Sequence, residues 1–149
     1  MCSGMALAAK KDNSGVKVFT ILGDGEMAEG SNWEAMMFAA HYKLDNLCAI
    51  LDYNKLQITA ANAEVMGLGP IDKKLEAFGW AVKHVDGHNL EELESTLKSL
   101  PFEEGKPSFV IAHTTKGKGV SYMENQIKWH HGVPSAEQNE LALEELSQK

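Results

Sequence analysis

Four short apolar runs, spaced by amphipathic stretches, constrain this chain more than any other feature. They are VKVFTIL from Val16, NLCAILDY from Asn46, WAVKHVD from Trp80 and SFVIAHTT from Ser108. In places their hydrophobicity is nearly continuous rather than alternating, as a strand buried on both faces requires. Between them, periodicity predicts helices over 32–42, 71–78 and 90–100, with a last one over 136–146. Ser31-Asn32-Trp33-Glu34 reads as a capping box for the first. Gly79 reads as the stop of the second and Asn89 as the cap of the third. Strands alternating with helices give an α/β fold: a parallel sheet with helices on both faces and right-handed crossovers. No repeat, low-complexity tract or internal boundary divides the 149 residues, so one domain over 1–149 is expected. Residues 1–11 read as the middle of a helix with neither cap nor preceding strand, so this domain is expected to be incomplete at its N-terminus.

Composition narrows the partners. A formal net charge of -7 argues against a nucleic-acid backbone. No apolar run approaches 18 residues, so no membrane span is expected. The charges of MCSGMALAAKKD follow its apolar part, the wrong order for a signal peptide. Two cysteines, Cys2 and Cys48, make no disulfide framework. A cytoplasmic protein fits these features.

The first strand ends abruptly in Gly23-Asp24-Gly25, a carboxylate whose neighbours have no side chains. Alone, such a tripeptide is most often a turn. In a parallel sheet, however, ligands bind beyond the carboxyl ends of the strands, and glycine lets backbone approach a ligand closely. A carboxylate suits an anionic phosphate only through a cation. Mg²⁺ takes oxygen donors from one or two protein groups, phosphates and water. The next strand end supplies further donors: the Asn54 amide oxygen and, two residues on, the Leu56 carbonyl. Residues 26–53 are 28 positions, room for one helix and one strand, so the two ends are neighbours. The glycines fit neither G-x-G-x-x-G nor a phosphate-binding P-loop. Met36, Met37 and Phe38 read as helix core. The loop over 116–134 is long enough to suggest function.

GDG, this spacing and Asn54 look like the motif of thiamine-diphosphate enzymes. GDGEMAEGSNWEAMMFAAHYKLDNLCAILDYNKLQI, FGWAVKHVDGHNLEEL, GKPSFVIAHTTKGKGVSYMEN and WHHGVP resemble transketolase, in particular the N-terminal chain of transketolases split into two subunits. The resemblance covers nearly the whole chain. It implies thiamine diphosphate and Mg²⁺ (or another divalent cation such as Ca²⁺ or Mn²⁺) as cofactors. The metal ligands it implies are Asp24, Asn54 and the Leu56 carbonyl, with Gly23 and Gly25 admitting the diphosphate. Glu29 is implied at a subunit interface, in an acidic network joining two active sites; Glu34 belongs either there or to the capping box. Lys116 of TTKGKG and a histidine before GVP are implied near cofactor and substrate. Of the adjacent His130 and His131, the assignment goes to His131, as catalytic. His41, His84, His88 and His113 have no metal-ligand spacing and read as structural.

The implied reaction is transfer of a two-carbon ketol unit from a ketose phosphate to an aldose phosphate, as in the pentose phosphate pathway. The implied partner is a C-terminal subunit or section carrying a pyrimidine-binding domain, in a dimer or heterotetramer; this chain alone is expected to be inactive. Two alternatives stand beside it. One is a component of another thiamine-diphosphate enzyme, of the 2-oxo acid dehydrogenase or deoxyxylulose-phosphate synthase type. The other is an inactive assembly piece. EGSNWEAMMFAAHYKLDNL favours transketolase over the other enzymes.

Overall fold

The computed structural model describes residues 1–148. The four apolar runs form strands β1 (Val18–Gly23), β2 (Leu47–Tyr53), β3 (Ala81–Asp86) and β4 (Ser108–His113). All pairings are parallel, in the order β1-β2-β4-β3. Helices α1 (Cys2–Lys11), α2 (Gly30–His41), α3 (Asn62–Val65), α4 (Ile71–Ala77), α5 (Leu90–Lys98) and α6 (Ala136–Ser147) complete the chain, with 3-10 turns at Glu26–Ala28 and Ile127–His130. No helix among the described residues is long and apolar enough to cross a membrane.

Successive strand side chains point to opposite faces, and here both faces are covered. Ala49, Leu51, Phe109 and Ile111 pack against Ala6, Met36, Ala39 and Leu75 of α1, α2 and α4. Cys48, Val85, Val110 and Ala112 form the other layer with Leu93 and Leu97 of α5. This double coverage explains the continuous hydrophobicity of β2 and β4. Fully buried Phe109 meets Trp80 edge-on, 5.6 Å between centroids, and the Trp80 Nε1–H donates to the Met36 carbonyl at 3.0 Å. One aromatic pair thus ties α2 to the sheet. Truncating Phe109 to alanine costs about 3–5 kcal/mol by the usual cavity penalty.

Several local expectations are corrected. Strand β1 is not buried on both faces: Phe19 is 47% and Ile21 72% exposed. Their register with Cys48 and Ile50 places them on the α5 side, and α5 packs on β3, at the far edge. In α2, Met36 is core, but Met37 and Phe38 are exposed, one step round the helix from the buried Met36–Ala39 stripe. The capping box at Ser31 does not form. Helix α2 begins at Gly30 with Glu29 as its cap residue and no side-chain cap. Its entry is stapled backwards instead, by Asn32 Nδ2 to the Glu26 carbonyl and Trp33 Nε1 to the Met27 carbonyl, both at 2.8 Å. A capping box does form at Ser135 and Gln138, opening α6. Asn89 caps α5 by accepting from the Glu92 N–H, and Gly79 (φ +90°) ends α4.

Candidate functional site

The register pairs Gly23 with Asp52, so Asp24 and the residues after β2 emerge at the same carboxyl edge. Asp24 is 2% exposed. Its Oδ2 accepts the Lys55 N–H at 2.6 Å, a bond that holds Lys55 at a left-handed φ of 67°. Burial pushes the Asp24 carboxyl above the usual carboxylate range, against the pull of the nearby Asn62 amide and the Lys55 N–H, while the Asp52 charge adds to the rise. A Cβ on Gly23 would meet only the Glu26 side chain, and one on Gly25 only the Gln57 side chain, each at 3.4 Å, which is ordinary contact, so the fold itself does not demand glycine at either place.

Asn54 turns the chain after β2. Its Oδ1 accepts the Leu56 N–H at 3.0 Å and its Nδ2 donates to Asp52 Oδ2 at 3.3 Å. Those two bonds fix which end of the amide is which. Asp52 Oδ1 accepts from the Thr114 hydroxyl. Residues two apart on a strand point to the same side, and the Asn54 amide accordingly reaches the Asp52 carboxylate just past the end of β2 at Tyr53. Beyond it, residues 55–62 fold back as a small hairpin. Leu56 bridges Ala61, the Gln57 N–H donates to Ala60 O and the Asn62 N–H to Lys55 O.

These elements enclose a cleft of about 700 Å³. Gly23, Asp24, Gly25, Glu29, Asn54, Leu56 and Lys116 line it, as the sequence suggests. Glu26, Asp52, Gln57, Ile58, Thr59 and His130 line it as well. His131 does not: it is exposed, just past the 3-10 turn whose last residue, His130, faces the cleft. The structure thus puts His130, rather than the expected His131, against the cleft. The Nδ1 of His130 is buried without a partner, and desolvation, then the Lys116 charge, lowers its basicity. Glu34 lies outside the cleft. A second hollow of about 550 Å³ shares Asp52, Asn54 and Lys116 and extends to His88 and Thr115. There His88 Nε2 accepts the Thr115 N–H at 2.7 Å, a structural role as expected. His84 Nδ1 and His113 Nε2 pair at 2.9 Å on neighbouring strands.

The loop over 116–134 is irregular but stapled. The Asn125 N–H donates to Lys116 O at 2.9 Å, and Trp129 Nε1 donates to Tyr122 O at 2.9 Å. These bonds tie the loop to itself, one at Lys116 and the other beside His130.

The cleft fits a hydrated divalent cation. Among the described residues no three His, Cys, Asp or Glu side chains form a metal cluster. A cation here would use one carboxylate with amide and main-chain oxygens, the donor set of a hard ion. Four carboxylates (Asp24, Glu26, Glu29, Asp52) and one ammonium (Lys116) line the cleft. A diphosphate would be repelled from such a site unless a cation accompanied it.

Comparison with known proteins identifies the family. The family model described as "Transketolase, thiamine diphosphate binding domain" matches residues 5–146. The chain is 50% identical to one subunit of the apulose-4-phosphate transketolase of Phocaeicola vulgatus, over 98% of this chain and 52% of that protein. It is 42% identical to the 6-deoxy-6-sulfo-D-fructose transketolase subunit SqwG of a Clostridium species, over 98% of this chain and 53% of that one. The crystal structure of transketolase from Campylobacter jejuni superposes with a TM-score of 0.88 at 31% identity, covering 98% of this chain and 24% of that chain. The chain thus spans about half the length of these single-subunit relatives.

Proposed function

The chain belongs to the transketolase family, as its thiamine diphosphate binding domain, and on that footing we propose that it holds Mg²⁺ and the diphosphate of thiamine diphosphate in an assembly that transfers a two-carbon ketol unit between sugar phosphates. The observation that carries this reading is the buried, glycine-flanked Asp24 beside Asn54 and Leu56, at the ends of two adjacent strands. Asp24, the Asn54 Oδ1 and the Leu56 carbonyl would hold the cation. Gly23 and Gly25 leave the backbone open to the diphosphate. Lys116, the one cationic side chain lining the cleft among the described residues, balances anionic oxygens. His130, kept neutral by its lowered basicity, can accept a hydrogen bond or a proton from a sugar hydroxyl. When bound, thiamine diphosphate supplies the nucleophilic carbon that carries the two-carbon unit.

The partner is a chain or section supplying the pyrimidine-binding domain, in a dimer or heterotetramer in the cytoplasm. Relatives named as single subunits of transketolases support a separate partner, and their transketolase names favour ketol transfer over 2-oxo acid dehydrogenase or deoxyxylulose-phosphate synthase chemistry. The sugars named for relatives differ, a phosphate in one and a sulfo sugar in the other; both are anionic, and a ketose phosphate donor with an aldose phosphate acceptor is the pair we propose. Calorimetric titration with thiamine diphosphate tests the reading. Binding is expected only with Mg²⁺ present, and it is lost in Asp24→Asn; unchanged affinity in that variant refutes the assignment.

A further inference from the structure

Asn62, beside this cleft, is buried in a way that packing does not explain. It opens the four-residue α3 and is 6% exposed, yet neither its Oδ1 nor its Nδ2 has a hydrogen-bond partner. A buried amide with both ends unpaired destabilises a fold, and such groups are rare. Leucine branches at the same carbon and leaves no polar atom unpaired, although it is the larger side chain.

The position is not arbitrary. The Asn62 N–H donates to Lys55 O at 3.0 Å, and the Lys55 N–H donates to Asp24 Oδ2 at 2.6 Å. The residue is therefore one hydrogen-bonded step from the buried carboxylate. Its side chain is close enough to draw the Asp24 carboxyl downward, second in influence only to burial, although it falls short of hydrogen-bond geometry. Mg²⁺ dehydrates reluctantly and keeps several waters, each an O–H donor in need of an acceptor. The carboxylates lining the cleft could serve, but each adds negative charge facing a diphosphate. A neutral amide adds an acceptor and no charge.

We propose that Asn62 is a positioning residue for the cation: Nδ2 braces the Asp24 carboxylate, and Oδ1 accepts from a water on the bound ion. The inference rests on the cation reading above. It makes the unpaired amide a cost that is offset only when the cleft is loaded.

The test uses the full chain with saturating thiamine diphosphate. Mn²⁺ is the probe, with the free ion counted by electron paramagnetic resonance. Melting midpoints are measured without the cation. Asn62→Leu is expected to melt above Asn62→Ala, yet to need about 10-fold more Mn²⁺ than wild type for half-saturation, the usual scale for losing a residue that orients a metal ligand. Asn62→Ala is expected to need as much Mn²⁺ while melting lower, so affinity and stability part company. A half-saturation in Asn62→Leu within about twofold of wild type overturns the proposal. If Asn62→Leu does not fold, Asn62→Ser decides: its hydroxyl keeps a donor and an acceptor, so it must bind the ion more tightly than Asn62→Ala, and equal values overturn the proposal. Failure of the wild-type chain to take up Mn²⁺ overturns the cation reading and this inference together, whereas wild-type uptake with an unaltered leucine variant overturns this inference alone.

Discussion

Replacing Gly117 by alanine separates the role of the 116–134 loop from that of the sheet. Gly117 sits at φ +73°, and a Cβ there would lie 2.6 Å from the Met123 carbonyl oxygen and 2.7 Å from its carbon. Both are backbone atoms, so no side chain can swing aside. The left-handed conformation alone costs an alanine about 1 kcal/mol, and relieving such an overlap typically costs about 1–3 kcal/mol more. The loop must bear roughly 2–4 kcal/mol, and its Asn125-to-Lys116 staple is the first bond to give. Since 1 kcal/mol shifts the melting midpoint of a domain this size by about 2–4 °C, the shift would be about 5–15 °C if the loop melts with the core, and less if it opens by itself. Either way Lys116 and His130 lose their anchorage, and affinity for thiamine diphosphate with Mg²⁺ should fall about 10-fold or more. Gly30→Ala is the control, since nothing lies within 4 Å of its Cβ and it is the first residue of α2, where alanine is tolerated. Calorimetry and scanning fluorimetry on both variants provide the readouts. A Gly117→Ala chain that melts and binds like wild type would refute the claim that this loop is rigidly seated.

Three further outcomes rest on the same geometry. Burial raises the Asp24 carboxyl, so its contribution to stability is full while it is protonated and is lost as pH rises through the raised value; the cation-free Asp24→Asn chain should therefore melt at or above wild type at about pH 7 and converge with it in acid, and a lower midpoint at neutral pH contradicts the burial argument. Burial pushes the Cys48 thiol up to about 12, so iodoacetamide at about pH 8 should label the partly exposed Cys2 and spare Cys48 until the chain unfolds, as peptide mass mapping reads directly. Glu29 lines the cleft but is exposed and serves as the cap residue of α2, so Glu29→Gln in the assembled enzyme should alter cooperativity between sites more than cofactor affinity; an affinity loss as deep as that of Asp24→Asn would make Glu29 a ligand.

What the sequence revealed and what it concealed divide along a physical line. Strand identity was legible because β2 and β4 bury both faces, and period and length then point to one answer. The order β1-β2-β4-β3 was not, since it depends on which helices cover which face. The exposed Phe19 and Ile21 read as core for the same reason: a strand's own residues do not say whether a helix reaches across it. At the site, Asp24 and Asn54 stood out because glycines or a strand end isolate them. Asp52 was hidden inside the apolar run of β2, where no glycine or turn sets it apart. His130 and His131 are chemically identical neighbours, and only the turn at Ile127–His130 decides which of them faces inward.

Asn62 was the least legible of all, and its invisibility has a cause. In sequence it sits in a polar, alanine-rich stretch where asparagine normally marks a turn. What singles it out is burial without a partner, a property of three segments meeting: the end of β1, the turn after β2 and the hairpin over 55–62. The carboxylate beside it carries the same signature, a charge-bearing group placed where the fold would be better off without it. Stability alone favours an apolar side chain at 62 and a neutral one at 24. A chain that keeps both polar groups against one cleft, while filling the rest of its sheet with Phe, Leu, Ile and Val, retains them for what enters that cleft. The cost is local to the carboxyl ends of β1 and β2, so stabilising substitutions at those two positions should be the ones that weaken binding (Asn62) or abolish it (Asp24), and equally stabilising ones on the α5 side of the sheet should leave it intact.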